Sequence, residues 1–230
     1  MIKKYLDSFL HLWYPHICLQ CGTDQLDNNS PLCLPCANAL PLTDFCSMPN
    51  NPIEKIFWGR ITIQHASAAL FFTKDSIVQK LIFELKYKHN KKAGLFLGRI
   101  MGNDLKNSSK YACISLLIPI PISTKKLRKR GFNQAQILCE GIAQIWDKKI
   151  ATNILLKKRN SDSQTHKDRL ERAGKNSFQF YLNNIQLLEN ENILLIDDVI
   201  TTGATLEAAC NCLEQGRPNS INIATAAYTL

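Results

Sequence analysis

"ILLIDDVITTGAT", residues 193–205, decides the fold. Four apolar residues come first, with no polar residue between them. Such a run reads as a strand buried on both faces, the kind found in sheets covered by helices above and below. Asp197 and Asp198 follow, then Thr201, Thr202 and Thr205 around Gly203. Glycine and small hydroxyl residues mark a turn. The next segment, "TLEAACNCLEQG" (205–216), reads as a helix closing at Gly216. Buried strand, tight turn and helix make one unit of an α/β sheet.

The same alternation extends outward. Strands are expected at "ASAALFF" (66–72), "CISLLIPIPI" (113–122, stopped by Pro119 and Pro121), "ENILLIDDVI" (191–200) and "SINIATAAYTL" (220–230). Helices are expected at "DSIVQKLIFELKYK" (75–88), "AGLFLGRIMGNDL" (93–105) and "NQAQILCEGIAQIW" (133–146). The connections are short, which predicts an α/β fold with a mostly parallel sheet covered on both faces. There is no internal repeat and no low-complexity tract. Near the start, Ile2, Leu6, Phe9, Leu10 and Trp13 fall at helical spacing. They predict a short amphipathic helix ending before Pro15 and packed on the protein itself; its few cations disfavour a membrane-surface role. "SMPNNPIEK" (47–55) is polar and rich in Pro and Asn, and reads as a linker. The expected organisation is therefore 1–55 and 56–230.

The chain has 230 residues, 45% of them hydrophobic, so a full core is expected and wholesale disorder is excluded. Its formal net charge is +9. A basic balance fits a polyanionic partner: nucleic acid, a phosphorylated small molecule or an anionic surface; it also fits a surface that is merely well solvated. No stretch is long and apolar enough to predict a membrane span, and no cleavage site follows the N-terminal apolar residues, so a cytoplasmic location is expected. Four of the nine cysteines form Cys18-x2-Cys21 and Cys33-x2-Cys36, separated by eleven residues. Paired CxxC motifs at this spacing place four thiolates round one tetrahedral centre, so a structural Zn²⁺ site is expected. Four cysteine ligands leave the metal no open position, which assigns it to folding. Cys46, Cys113, Cys139, Cys210 and Cys212 stand singly among apolar residues and read as buried, inert thiols.

In an open parallel sheet, ligands bind beyond the carboxyl ends of the strands, where Asp197 and Asp198 would lie. The start of the following helix offers converging N–H donors and the positive dipole end, which suit a phosphate. Gly203 lets the backbone approach the anion, and Thr201, Thr202 and Thr205 add hydroxyls. Two carboxylates would repel a phosphate, but they accept hydrogen bonds from a vicinal diol. A ribose 5-phosphate carries both groups.

With these residues in place, "LLIDDVITTGAT" resembles, along its full length, the phosphoribosyl-pyrophosphate (PRPP) motif of the type I phosphoribosyltransferases. "IPIPISTKKLRKRGFNQAQILCEGIA" (118–143) resembles the segment of ComF/GntX-like proteins that contains "RGFNQA", present here as Arg130 to Ala135. "LKYKHNKKAG" (85–94), "RNSDSQTHKDRLERAGKNSFQF" (159–180) and the cysteine knuckle also resemble that family, in the family's order. Two features depart from it. Only Cys46 stands where many relatives carry a further cysteine pair. Lys175 stands where an Asn usually follows the Glu-Arg pair, with Asn176 one residue later.

The resemblance implies a type I phosphoribosyltransferase-like sheet flanked by helices, with a small N-terminal zinc-binding domain. Asp197 and Asp198 would hold the ribose hydroxyls, and Thr201, Thr202, Gly203, Ala204 and Thr205 the 5-phosphate. Mg²⁺ would arrive with PRPP. Arg130 and Gly131 match the place of the pyrophosphate loop, and Arg159, Gln164 and Arg172 would close over it from a hood at 159–176. Lys86 and Lys88 are weaker candidates for anion binding, and His89 and His166 read as surface residues. The family's association with natural transformation leaves two readings open. One is a phosphoribosyltransferase whose acceptor the sequence does not reveal. The other is a non-catalytic PRPP sensor that handles single-stranded DNA through basic clusters at 86–92, 125–130, 148–159 and 167–175. Implied partners are PRPP, single-stranded DNA, and DNA-uptake or recombination proteins. The aromatic residues near these clusters, such as Tyr87 and Trp146, look too scattered to form a stacking platform.

Overall fold

The computed structural model describes residues 16–27, 30–157 and 180–229. The expected N-terminal helix lies outside them, as do Arg159, Gln164, Arg172 and His166 of the expected hood.

Five strands form one parallel sheet: β1 (Ala66–Phe72), β2 (Leu116–Pro119), β3 (Lys149–Ile150), β6 (Asn192–Ile200) and β7 (Ser220–Thr229). Their spatial order is β1-β7-β6-β2-β3. β4 (Leu155–Lys157) and β5 (Phe180–Leu182) pair antiparallel as a separate ribbon. Among the helices are α3 (Ile77–Tyr87), α4 (Lys91–Asn107), α5 (Thr124–Arg130), α6 (Gln134–Ile145) and α7 (Ala204–Leu213). Helix α7 stops three residues short of the expected end and continues to Gly216 as a 3₁₀ turn.

The apolar run of β6 serves two cores at once. Leu194 and Ile196 face α3, α4 and α6, while Ile193 and Leu195 face α7 and the β4–β5 ribbon. All four are fully buried, each contributing about 1.5–3 kcal/mol. Successive side chains of a strand alternate between faces, so a strand covered on both sides must be apolar without interruption.

The N-terminal region lies along the outer edge of β1. Thr43 N donates to Ala69 O (3.1 Å), Phe71 N donates to Pro41 O (2.9 Å), and Leu42 bridges Leu70 antiparallel. An exposed strand edge invites unwanted pairing, and this segment covers it. The stretch expected as a linker instead enters a helix. After the short α1 (Leu34–Asn38), α2 spans Pro52–Phe57. Asn51 caps it through Oδ1, accepting from Ile53 N (2.9 Å) and Glu54 N (3.1 Å), and its amide donates to Ala66 O (2.8 Å). Ile53 and Phe57 drop into the second core. Ile53, Ile56 and Phe57 stand at i, i+3 and i+4, but one and a half turns are too short for a periodicity to stand out; a proline at N1 and an asparagine cap start the helix. Cys46, Cys139, Cys210 and Cys212 are buried as expected; Cys113 is exposed, on the loop before β2.

Candidate functional site

Strand order creates the site. From β2 the chain moves outward to β3; from β6 it moves the opposite way, to β7. Connections that diverge from neighbouring strands leave a crevice beyond their carboxyl ends. Pairing of β2 with β6 ends at Pro119–Ile196 and a bond from Ile120 N to Ile196 O (2.9 Å). On the other side β6 stays paired with β7 through Ile200–Tyr228. Asp197 and Asp198 therefore border the crevice while their strand remains anchored.

Adjacent residues of a strand point to opposite faces, and the partners of the acid pair agree. Asp198 Oδ1 accepts from Lys86 Nζ of α3 (2.9 Å), on the face of Leu194 and Ile196. Asp197 Oδ1 accepts from the Asp198 amide (2.8 Å). Burial pushes the Asp197 carboxyl up to about 7, and the neighbouring Asp198 adds to the rise; Lys86 and Lys157 act against it. Lys157, at the end of β4, is held below its usual range by burial and then by Lys126 of α5. The acid pair is thus flanked by cations from two elements, α3 and β4. The sequence marked Lys86 only weakly and did not mark Lys157; its one signal was membership of a basic cluster.

The turn after β6 leads straight into α7. Thr201, Thr202, Ala204 and Thr205 are exposed and Gly203 is buried. Gly203 takes φ +73° at the N-cap, where it has no side chain to bond the first-turn N–H groups. A Cβ at Gly203 would lie 2.9 Å from Ile56 Cγ2 and from Phe57 Cε1, so the turn rests directly on α2. Arg60, unmarked in the sequence, donates to Thr202 O and to Ile56 O (both 3.0 Å) and pairs with Glu207 of α7. The N-terminal region thereby holds the turn from beneath.

On the facing side, "TKKLRKR" folds as α5, capped by Ser123 and ended by Gly131 at φ +73°. Five of its seven residues are basic and Leu127 is its one apolar residue, so it gave no helical periodicity. Asn133 closes the loop: its amide donates to Ile120 O (2.9 Å) and its Oδ1 caps α6 by accepting from Ala135 N (3.1 Å). Gln134 is buried and accepts from Arg130 Nη1 (2.7 Å). The last turn of α3 reaches this loop too. The Arg130 guanidinium lies 5.6 Å from the Tyr87 ring, and His89 Nδ1 donates to Arg130 O (2.8 Å).

Away from the crevice, the thiols of Cys18, Cys21, Cys33 and Cys36 lie within 4.8 Å of one another, with Cys21 and Cys33 sulfurs 3.6 Å apart. A tetrahedral Zn²⁺ with bonds near 2.3 Å sets sulfur–sulfur distances of about 3.8 Å, so the cluster fits. The Cys33 amide donates to Cys18 Sγ (3.4 Å). Burial pushes the Cys18 thiol up, but the amides of Cys21, Cys33 and Gln20 bring it down to about 6. Burial and the other three sulfurs push Cys36 up to about 12. Four thiolates this close require a dication between them, so the cluster can hold a metal such as zinc.

The chain is similar to several known proteins. A family model described as phosphoribosyl transferase domain matches residues 128–229. The chain is 37% identical over 108 residues to competence protein ComFC of Bacillus subtilis, covering 46% of this chain and 42% of that one. It is 23% identical over 159 residues to the DNA utilization protein YhgH of Salmonella typhimurium, covering 65% and 66%. The matches thus span between two fifths and two thirds of these relatives' lengths. Among solved structures, the glutamine PRPP amidotransferase of B. subtilis complexed with ADP and GMP aligns with a TM-score of 0.41 and 12% identity, over 60% of this chain and 26% of that one.

Proposed function

We propose that this chain, a ComF-like member of a type I phosphoribosyltransferase-like family, binds PRPP with Mg²⁺ in the crevice between β2 and β6 and serves the uptake or use of DNA. One observation carries the reading: an acid pair and a glycine turn border a sheet crevice, facing a basic loop. Asp197 and Asp198 straddle the rim from opposite faces of β6 and accept hydrogen bonds from the ribose hydroxyls. Each charge-assisted bond contributes about 1.5–3 kcal/mol. The N–H groups at the start of α7, with Thr201, Thr202 and Thr205, receive the 5-phosphate. Arg130 and Gly131 lie on the diphosphate side, where cations and main-chain donors stabilise charge developing on a leaving group. Arg159, Gln164 and Arg172 are proposed to complete that side.

The donor set fits Mg²⁺ supplied with the substrate. Among the described residues the four cysteines are the only cluster of three or more metal-binding side chains. A hard cation would take its oxygens from the diphosphate, the ribose and water. There it would neutralise charge on the diphosphate.

Calorimetry with Mg²⁺ tests the reading. Wild type should bind PRPP, and Asp197→Asn with Asp198→Asn should abolish binding. No heat from wild type would overturn it. Adding a panel of nitrogenous bases then separates turnover, seen as pyrophosphate release, from sensing.

A second reading has its own support. The exposed rings of Phe83 and Tyr87 lie 5.1 Å apart on α3, with Arg130 against Tyr87. Tyr87, which looked scattered along the sequence, is thus paired with Phe83 beside a basic loop, an arrangement suited to single-stranded DNA. Titrating labelled single-stranded DNA at two salt concentrations should show binding that weakens with salt; no binding at low salt removes this reading. Among the described residues no helix is long and apolar enough to cross a membrane.

A further inference from the structure

His89 is exposed, as expected, and it closes a turn that makes three contacts with the crevice. Lys86 of α3 holds Asp198 at 2.9 Å, the Tyr87 ring lies 5.6 Å from the Arg130 guanidinium, and His89 Nδ1 meets Arg130 O at 2.8 Å. The His89 ring also packs edge-on against Phe132, with centroids 6.4 Å apart. Three residues, Lys86 and Tyr87 of α3 and His89 at its exit, therefore touch both walls of the crevice.

The backbone underlines the point. His89 leaves α3 at φ +55°, a conformation uncommon for a residue with a full side chain. The chain turns there so that the imidazole faces the loop after β2. A carbonyl can only accept, so Nδ1 carries the proton and Nε2 is left to solvent. The bond falls on the last peptide of α5, next to Gly131, whose own φ of +73° sets the direction of the loop.

We infer that His89 is a positioning residue for the diphosphate side of the crevice: its Nδ1–H fixes the Arg130–Gly131 corner, while Lys86 of the same turn holds the diol side. The inference rests on the PRPP reading for its ligand, and on geometry alone for the corner. A single exposed hydrogen bond of this kind changes an equilibrium by about fivefold.

Two measurements test it, with the full chain and its metal. The first needs no ligand. In His89→Ala, amide hydrogen exchange at Gly131 and Phe132 should accelerate about fivefold, and in His89→Asn it should return to the wild-type rate. Asparagine tolerates the left-handed backbone, and its amide nitrogen can take the place of Nδ1. Unchanged exchange in His89→Ala overturns the inference whether or not PRPP binds. The second is calorimetry with Mg²⁺. PRPP affinity should fall about fivefold in His89→Ala and recover in His89→Asn, while ribose 5-phosphate, which lacks the diphosphate, binds all three proteins equally. An equal loss for both ligands would show general loosening and overturn the inference. Wild type that binds neither ligand overturns the PRPP reading and the ligand assignment with it, leaving the exchange result to decide the corner.

Discussion

Replacing Lys86 by methionine removes a charge and keeps the aliphatic stem. The ammonium lies 2.9 Å from Asp198, and the two side chains are 20% and 13% exposed. An exposed pair contributes at most about 1 kcal/mol, whereas breaking a buried pair costs about 3–5 kcal/mol because a charge is left stranded. This pair lies between those limits, so its loss should cost about 2 kcal/mol where both carboxylates are ionised. The pH dependence follows from Asp197, whose carboxyl burial raises to about 7. A carboxyl raised above its unfolded value holds its proton longer in the folded chain. Its contribution is therefore complete below about pH 4 and is lost as pH rises through about 7. Lys86 opposes that rise, so without it the loss deepens and extends to higher pH. Urea unfolding at about pH 5.5 and about pH 8.5 should show Lys86→Met destabilised by about 1 kcal/mol in acid and about 2–3 kcal/mol in alkali, with unchanged slopes. Equal losses at the two pH values, or a variant more stable than wild type at pH 8.5, would refute this account of the acid pair.

Gly203→Ala should destabilise the chain by about 2–4 kcal/mol, from the left-handed backbone and from a Cβ placed 2.9 Å from Ile56 and Phe57. Thermal unfolding checks this; a variant as stable as wild type would mean that the turn does not rest on α2. Metal analysis of protein prepared without chelator should find about one Zn per chain. Stripping it should lower the melting temperature and speed amide exchange across residues 18–46, and a chelator-treated chain with unchanged melting would show the cysteine knuckle is not a structural centre.

Local pattern made much of this protein legible. Residues 193–196 are apolar without a break, as a strand buried on both faces must be. Helical periodicity exposed α3, α4 and α6, since each must turn one stripe toward the sheet. The CxxC pairs announced themselves because the tetrahedral geometry of a metal demands that spacing. Asp197 to Thr205 could be read as a candidate site because strand, acids and turn are contiguous.

What local pattern lacked was contact between distant segments. Helix α2 hid in a polar stretch because its apolar residues matter only once β1 lies beneath them. Helix α5, with a single apolar residue among its basic ones, took its shape from Ser123, Gly131 and the loop closure by Asn133. Arg60 became part of the site when folding brought it to Thr202, 142 residues away along the chain. The acid pair read only as two neighbours along the chain; the pleat set them on opposite faces of β6, and α3 supplied the lysine. Hydrophobic periodicity tells each segment which face to bury, so the elements could be read from the chain alone. Which segments come to share a crevice depends on strand order, and that is settled only when all the buried faces find their partners together.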